Sequence, residues 1–182
     1  MKKNGFTLLE LIVSITIIAM VTGLFLANYS SANRRTDLTM TAQKLVADVR
    51  LAQSYALGLA KYGGSGSLNI PPGGWGVHFD LQNYGSNKYN IFADDNANTI
   101  YDGGEADERY GAQVVYLPTN ITIQSISIGS KVDITFLPPD PITTINNGAA
   151  TSTSVDIVLK DNKTNSIKTV RVNFLGLVEV ID

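Results

Sequence analysis

The chain predicts an α+β protein: a long N-terminal α-helix followed by a head built mainly of antiparallel β-sheet. Three observations carry this. The first apolar residues run without interruption, the next recur at helical spacing, and everything after the pair Gly63-Gly64 alternates with period two between turn residues. The predicted organisation is a leader at 1–5, an apolar helix at 6–29, an amphipathic continuation at 30–62 and a β-rich head at 63–182.

The apolar segment from Phe6 to Ala27 has Glu10 as its sole charged residue. A helix that crosses a bilayer needs about 20 mostly apolar residues, and this segment meets that length. Lys2 and Lys3 in front of it favour a cytoplasmic N-terminus, whereas Arg34 and Arg35 behind it pull the other way. A single-pass membrane protein with its head outside the cytoplasm is the expectation. Beyond Asn28 the apolar residues thin out to Leu38, Leu45, Val49, Ala52, Ala56 and Leu59, with Lys44, Asp48 and Arg50 between them. That is an amphipathic stripe. No proline occurs before Pro71, so a single helix from Phe6 to Tyr62, about 85 Å long, is expected, with Gly63-Gly64 as its stop.

In the head, strands are expected around Val77–Phe79, Lys88–Phe92, Val114–Leu117, Ile121–Ile128, Val132–Leu137, Val155–Leu159 and Ile167–Val180. Asp161–Asn165 reads as a hairpin turn, and Gly176 as a break in the last strand. Pro71–Gly74, Pro138–Pro141 and Asn146–Thr153 read as loops.

Composition excludes several chemistries. There are no cysteines, which removes disulfides, thiolate metal sites and cysteine catalysis. A formal charge of -2 gives no general attraction to nucleic acid. His78 is the single histidine, and its place on an expected strand reads as a surface or half-buried residue rather than a catalytic base. No glycine-rich phosphate loop follows a strand. An enzyme is therefore not expected.

Glu10 is costly inside a bilayer, about 3 kcal/mol on insertion scales, and such a charge calls for a partner. The stretch Lys2-Lys3-Asn4-Gly5-Phe6-Thr7-Leu8-Leu9-Glu10 resembles the processing site of type IV prepilins and type II secretion pseudopilins. The resemblance implies cleavage after Gly5 by a prepilin peptidase, methylation of the new amino group on Phe6, and a filament of subunits. It also implies that Glu10 neutralises the terminal amine of a neighbouring subunit during assembly. A secretory signal peptide cut near Ser30-Ser31-Ala32, an uncleaved signal anchor and a buried core helix, against which the segment's length argues, are the competing readings.

Gly74-Trp75-Gly76-Val77-His78-Phe79-Asp80 is similar to a segment in the head of H-type minor pseudopilins and minor pilins. Phe174-Leu175-Gly176-Leu177-Val178 is similar to that family's final strand, with Leu177 where the family carries Arg or Lys. The resemblance implies a structural, minor subunit of a type IV pilus-like or type II secretion filament. The alternative is a minor pilin that binds DNA or a surface, for which Lys160, Lys163, Lys168 and Arg171 form the one late basic cluster; acidic neighbours dilute it, so nucleic acid is not the expected partner.

The last candidate is the acidic loop Asp94–Glu105. Counted from Asp94, oxygen-bearing residues fall at positions 1, 3, 5, 9 and 12: Asp94, Asn96, Asn98, Asp102 and Glu105. The Ile100 carbonyl supplies position 7, as in an EF-hand loop, so calcium is the expected cofactor. Thr99 stands where that pattern has glycine.

Overall fold

In the computed structural model, residues 6–64, 67–103, 113–139 and 142–181 are described. They form one helix, α1 (Leu8–Leu57), and twelve strands. The strands are β1 (Tyr62–Gly64), β2 (Ser67–Asn69), β3 (Trp75–Asp80), β4 (Lys88–Ala93), β5 (Gln113–Tyr116) and β6 (Ile121–Ile126). They continue as β7 (Lys131–Leu137), β8 (Ile142–Asn146), β9 (Thr151–Ser152), β10 (Ser154–Asp161), β11 (Ile167–Asn173) and β12 (Val178–Ile181). Two compact units result, Met1–Asp37 and Leu38–Asp182, and α1 runs through their boundary.

In the first unit, α1 begins with Thr7 as its N-cap. The Thr7 hydroxyl accepts the Glu10 N–H at 3.3 Å, and the Thr7 carbonyl accepts the Leu11 N–H at 3.2 Å. Residues 8–26 are apolar enough to cross a membrane, with a mean hydropathy of 2.3, and their side chains are exposed. Ser14 and Thr16 return their hydroxyls to the carbonyls of Glu10 and Ile12, so these polar groups are satisfied within the helix.

In the second unit the rest of α1 buries Leu38, Ala42, Leu45, Val49, Ala52 and Ala56. Their spacing alternates between four and three, which keeps one narrow stripe on one side. The stripe packs into a common core with the sheets. The helix ends before the expected Tyr62. Leu59 takes the left-handed conformation (φ 49°), the Ala60 N–H donates to the Tyr55 carbonyl, and the Leu59 N–H donates to the Ala56 carbonyl. A Schellman-type stop is thereby built on Leu59 rather than on Gly63-Gly64. Leu59 is 48% exposed, so it is no part of the stripe, and Tyr62–Gly64 joins β1 instead.

The strands form three antiparallel sheets: a six-stranded one ordered β5-β4-β3-β7-β8-β9, a four-stranded one ordered β12-β11-β10-β6, and the pair β1-β2. β3 is buried along its whole length. Alternation puts Trp75, Val77 and Phe79 in the helix-side core, while Gly76, His78 and Asp80 face the other way. Gly76 lies opposite Phe92, and a Cβ on it would come within 2.7 Å of that ring, so only glycine allows the strands to pair there. The expected Ile167–Val180 strand is two, β11 and β12. Gly176 turns between them at φ 77°, with the Asn173 carboxamide accepting the Leu175 and Leu177 N–H groups at 3.0 Å. The segment Asn146–Thr153 is not purely a loop, because β8 ends at Asn146 and β9 follows at Thr151. Strands β1, β2, β8 and β9 are short or polar, and period-two hydrophobicity did not mark them.

Leu45→Ala is expected to destabilise the second unit by about 3 kcal/mol, since Leu45 is fully buried in the stripe. Met40→Ala, at a position 61% exposed, is expected to stay within about 0.5 kcal/mol. Urea melts of both variants in detergent micelles check the contrast.

Candidate functional site

The N-terminal site is built from few parts. Thr7 and Glu10 stand three apart, which is the spacing of a capping box, and the Thr7 half of that box is present in the structure. Glu10 lies in the first turn of α1, where the helix dipole favours negative charge. Its carboxylate has no partner among the described residues, and its surroundings are the exposed side chains of Phe6, Leu8, Leu9 and Leu11. Gly5 lies outside the described residues, and Phe6 is 78% exposed at the start of the helix. Thr7 is a structural residue of this site, the N-cap of α1, which reading for charge alone did not single out. It caps α1 and so fixes where the helix starts, three residues before Glu10.

The acidic loop follows β4. Asp94 is fully buried, and its backbone exchanges hydrogen bonds with the Pro71–Gly74 loop: Gly73 N–H to the Asp94 carbonyl and Asp94 N–H to the Gly74 carbonyl, both 2.9 Å. The Asp94 carboxylate accepts the Thr99 N–H at 2.8 Å and the Asn98 N–H at 3.3 Å. Burial pushes its pKa up, with the Asp102 charge adding to this; the N–H groups of Thr99, Asn98 and Ala97 pull the other way without prevailing. Thr99 takes a left-handed conformation (φ 64°) at the place where the EF-hand pattern has glycine, and Ala97 does likewise (φ 58°). The Asn96 and Asn98 carboxamides both donate to one Asp102 carboxylate oxygen, at 2.8 and 2.5 Å. Asp94, Asn96, Asn98, Ile100 and Asp102 are thus gathered into one turn, closed by its own amides, while Glu105 lies outside the described residues. Among the described residues no group of three or more His, Cys, Asp or Glu converges as a metal centre.

His78 is not a surface residue. It is 2% exposed and lies directly opposite Asp133 in the β3–β7 register. Its Nδ1 is 2.6 Å from an Asp133 oxygen that also accepts the Tyr101 N–H at 3.2 Å. Asp133 therefore ties the end of the acidic loop to the sheet. Tyr101 lies against Phe92 and His78, with ring centroids 5.2 and 4.7 Å apart. Sequence reading missed Asp133 because Lys131-Val132-Asp133-Ile134-Thr135 looks like a half-solvated strand; nothing in it signals that the polar face is covered. Trp75 is a core aromatic held by its Nε1–H on the Ala60 carbonyl at 3.0 Å, and it packs on Tyr55. In the late basic cluster, Arg171 is engaged by Asp156 through two hydrogen bonds of 2.7 and 2.8 Å on the exposed face of the sheet.

Asp80 closes the turn after β3. Its carboxylate accepts the Gln82 and Asn83 N–H groups at 2.9 Å and the Asn83 carboxamide at 2.7 Å. Burial works to raise its pKa, but the donors from Asn83 and Gln82, helped by His78, prevail and hold it below the usual carboxylate range. A depressed folded-state pKa means stabilisation that is complete above the unfolded value and fades as pH falls through the folded one. Asp80→Asn is expected to cost about 1 to 2 kcal/mol at pH 7, a gap that narrows below about pH 4. Urea melts of both proteins at neutral and acid pH check it.

No curated protein and no solved structure matches the chain. Residues 1–26, the segment that holds Phe6, Thr7 and Glu10, match the family model of the prokaryotic N-terminal methylation motif, so the chain carries the prepilin-type motif of type IV pilins and pseudopilins.

Proposed function

We propose that this chain is a minor structural subunit of a type IV pilus-like or type II secretion filament. On this reading a prepilin peptidase cuts after Gly5 and methylates Phe6. The observation that supports it most is the coincidence of the methylation motif with an acid, Glu10, that has no partner among the described residues and lies in the first turn of an apolar exposed helix. In low dielectric, a lone carboxylate and a lone terminal ammonium are each unfavourable, and pairing between two copies relieves both. The segment at 8–26 then has two uses: it anchors the subunit in the membrane with the head outside the cytoplasm, and it packs against other subunits after assembly. The Gly74–Asp80 segment supports the H-type assignment among minor subunits. The work of such a subunit is noncovalent.

Glu10→Ala is expected to leave cleavage intact while incorporation into filaments falls at least tenfold, the effect of leaving about 1.4 kcal/mol or more of pairing unmade. Mass spectrometry of membrane and sheared fractions reads both, through the peptide beginning at methylated Phe6. Undiminished incorporation, or a mature N-terminus at Asn33, overturns the reading.

We propose further that calcium is the cation of the acidic loop. The gathering of Asp94, Asn96, Asn98 and Asp102 in one turn supports this, as does Thr99 in the backbone conformation that the EF-hand glycine adopts. Binding replaces the amide contacts to Asp102 with cation contacts. The full-length protein in micelles is expected to melt higher in calcium than in chelator, and equal melting temperatures remove the cation from the account.

A further inference from the structure

Phe6 and Thr7 stand outside α1, which opens at Leu8. The first backbone bond of the helix runs from the Leu11 N–H to the Thr7 carbonyl at 3.2 Å. Extending the helix upstream would need the Glu10 N–H on the Phe6 carbonyl and the Leu9 N–H on the Gly5 carbonyl, since helical bonds span four residues. The Glu10 N–H is already taken, because the Thr7 hydroxyl accepts it at 3.3 Å. A helix therefore cannot grow back through Phe6 without losing its cap. The strongest rival cap in the sequence is Asn4, three residues earlier. A helix capped at Asn4 would carry Thr7 at its third position. One capped at Thr7 carries Glu10 there, the acid that a capping box calls for. The local sequence thus favours Thr7, and the structure starts the helix there.

This boundary bears on the peptide bond between Gly5 and Phe6. Hydrolysis there adds the hydroxyl of a water molecule to the Gly5 carbonyl carbon and breaks that carbon's bond to the Phe6 nitrogen. The remaining proton of the water passes to that nitrogen, which leaves as an amine. A carbonyl held inside a helix already accepts a backbone hydrogen bond, and its turn must unwind before a nucleophile reaches it in a reactive geometry. A carbonyl ahead of the helix has no such bond to break. Phe6, the described half of the scissile bond, is non-helical and 78% exposed. We infer that Thr7 is a positioning residue for prepilin-type cleavage: its cap keeps the Gly5–Phe6 bond out of α1 and so open to the peptidase. Resting on the cleavage proposed above, this role belongs to the Thr7 hydroxyl and is separate from the charge on Glu10.

The full chain, expressed in its native host, would be followed by pulse labelling and mass spectrometry of its N-terminal peptide. Thr7→Val keeps the shape of the side chain and removes the cap; Thr7→Asn changes the shape and keeps a cap. Thr7→Val is expected to be cut about fivefold more slowly than wild type, the loss of one N-cap, while Thr7→Asn stays within about twofold of it. In micelles, the Phe6 carbon shifts of Thr7→Val are expected to move toward helical values. Wild-type speed for Thr7→Val overturns the proposal. So does equal slowing of Thr7→Asn, which would mean that the peptidase reads the threonine side chain directly. A Phe6 that stays non-helical in Thr7→Val overturns it too, and this reading stands even where the variant inserts poorly in cells. A wild-type chain left uncut between Gly5 and Phe6 overturns the proposed function itself, whereas a cut wild type with an equally fast Thr7→Val removes only the role of the cap.

Discussion

Strand β3 is buried on both faces, and that one constraint organises the whole unit from Leu38 to Asp182. A strand covered on one side can leave its other side chains to water. β3 cannot, so each of its six residues must find a packing or hydrogen-bonding partner within the protein. Trp75, Val77 and Phe79 join the core that includes the α1 stripe. Gly76 makes room for Phe92, His78 takes Asp133, and Asp80 takes the backbone of the turn that follows it. The acidic loop owes its anchorage to the same constraint, because Asp133 accepts a hydrogen bond from Tyr101 as well as from His78.

The helix stripe is the counterpart of this arrangement. Three of its six residues are alanines, Ala42, Ala52 and Ala56, and small side chains let backbones approach closely. Polar links at the margin of the stripe fix its register. Tyr89 donates its hydroxyl to Asp48, the Arg50 guanidinium donates to the Val178 carbonyl, and Gln53 donates to the Gly176 carbonyl at 2.6 Å. Burial and the Asp48 carboxylate hold the Tyr89 hydroxyl protonated far above its ordinary range. Both β12 and the β11–β12 turn are thus tied to the helix by carbonyl acceptors, which asks little of the side chains on those strands.

The first unit follows a different logic. Residues 8–26 present apolar side chains on every side, and lipid or other apolar helices are the surroundings in which such a segment is stable. Its polar groups are dealt with locally, Ser14 and Thr16 on backbone carbonyls and the Glu10 N–H on Thr7. Among the described residues the Glu10 carboxylate has no such local partner, which makes it the chemical focus of residues 8–26.

The helix, its apolar and amphipathic halves, the methylation motif and seven of the strand regions were legible in the sequence because each is written in local pattern: length, period and short-range spacing. The oxygen-bearing residues of the acidic loop were legible for the same reason, since Asp94 through Asp102 lie within one turn of chain. Where α1 stops was decided by tertiary structure, because Leu59 adopts a left-handed backbone that its residue type disfavours and Tyr62 is drawn into β1. The burial of His78 was decided the same way. Its partner Asp133 is 55 residues distant along the chain, and only the register of β7 on β3 brings the two together. Sequence by itself determined what each segment is able to form. The fold decided which polar residues lose their water, since burial depends on what the other segments cover.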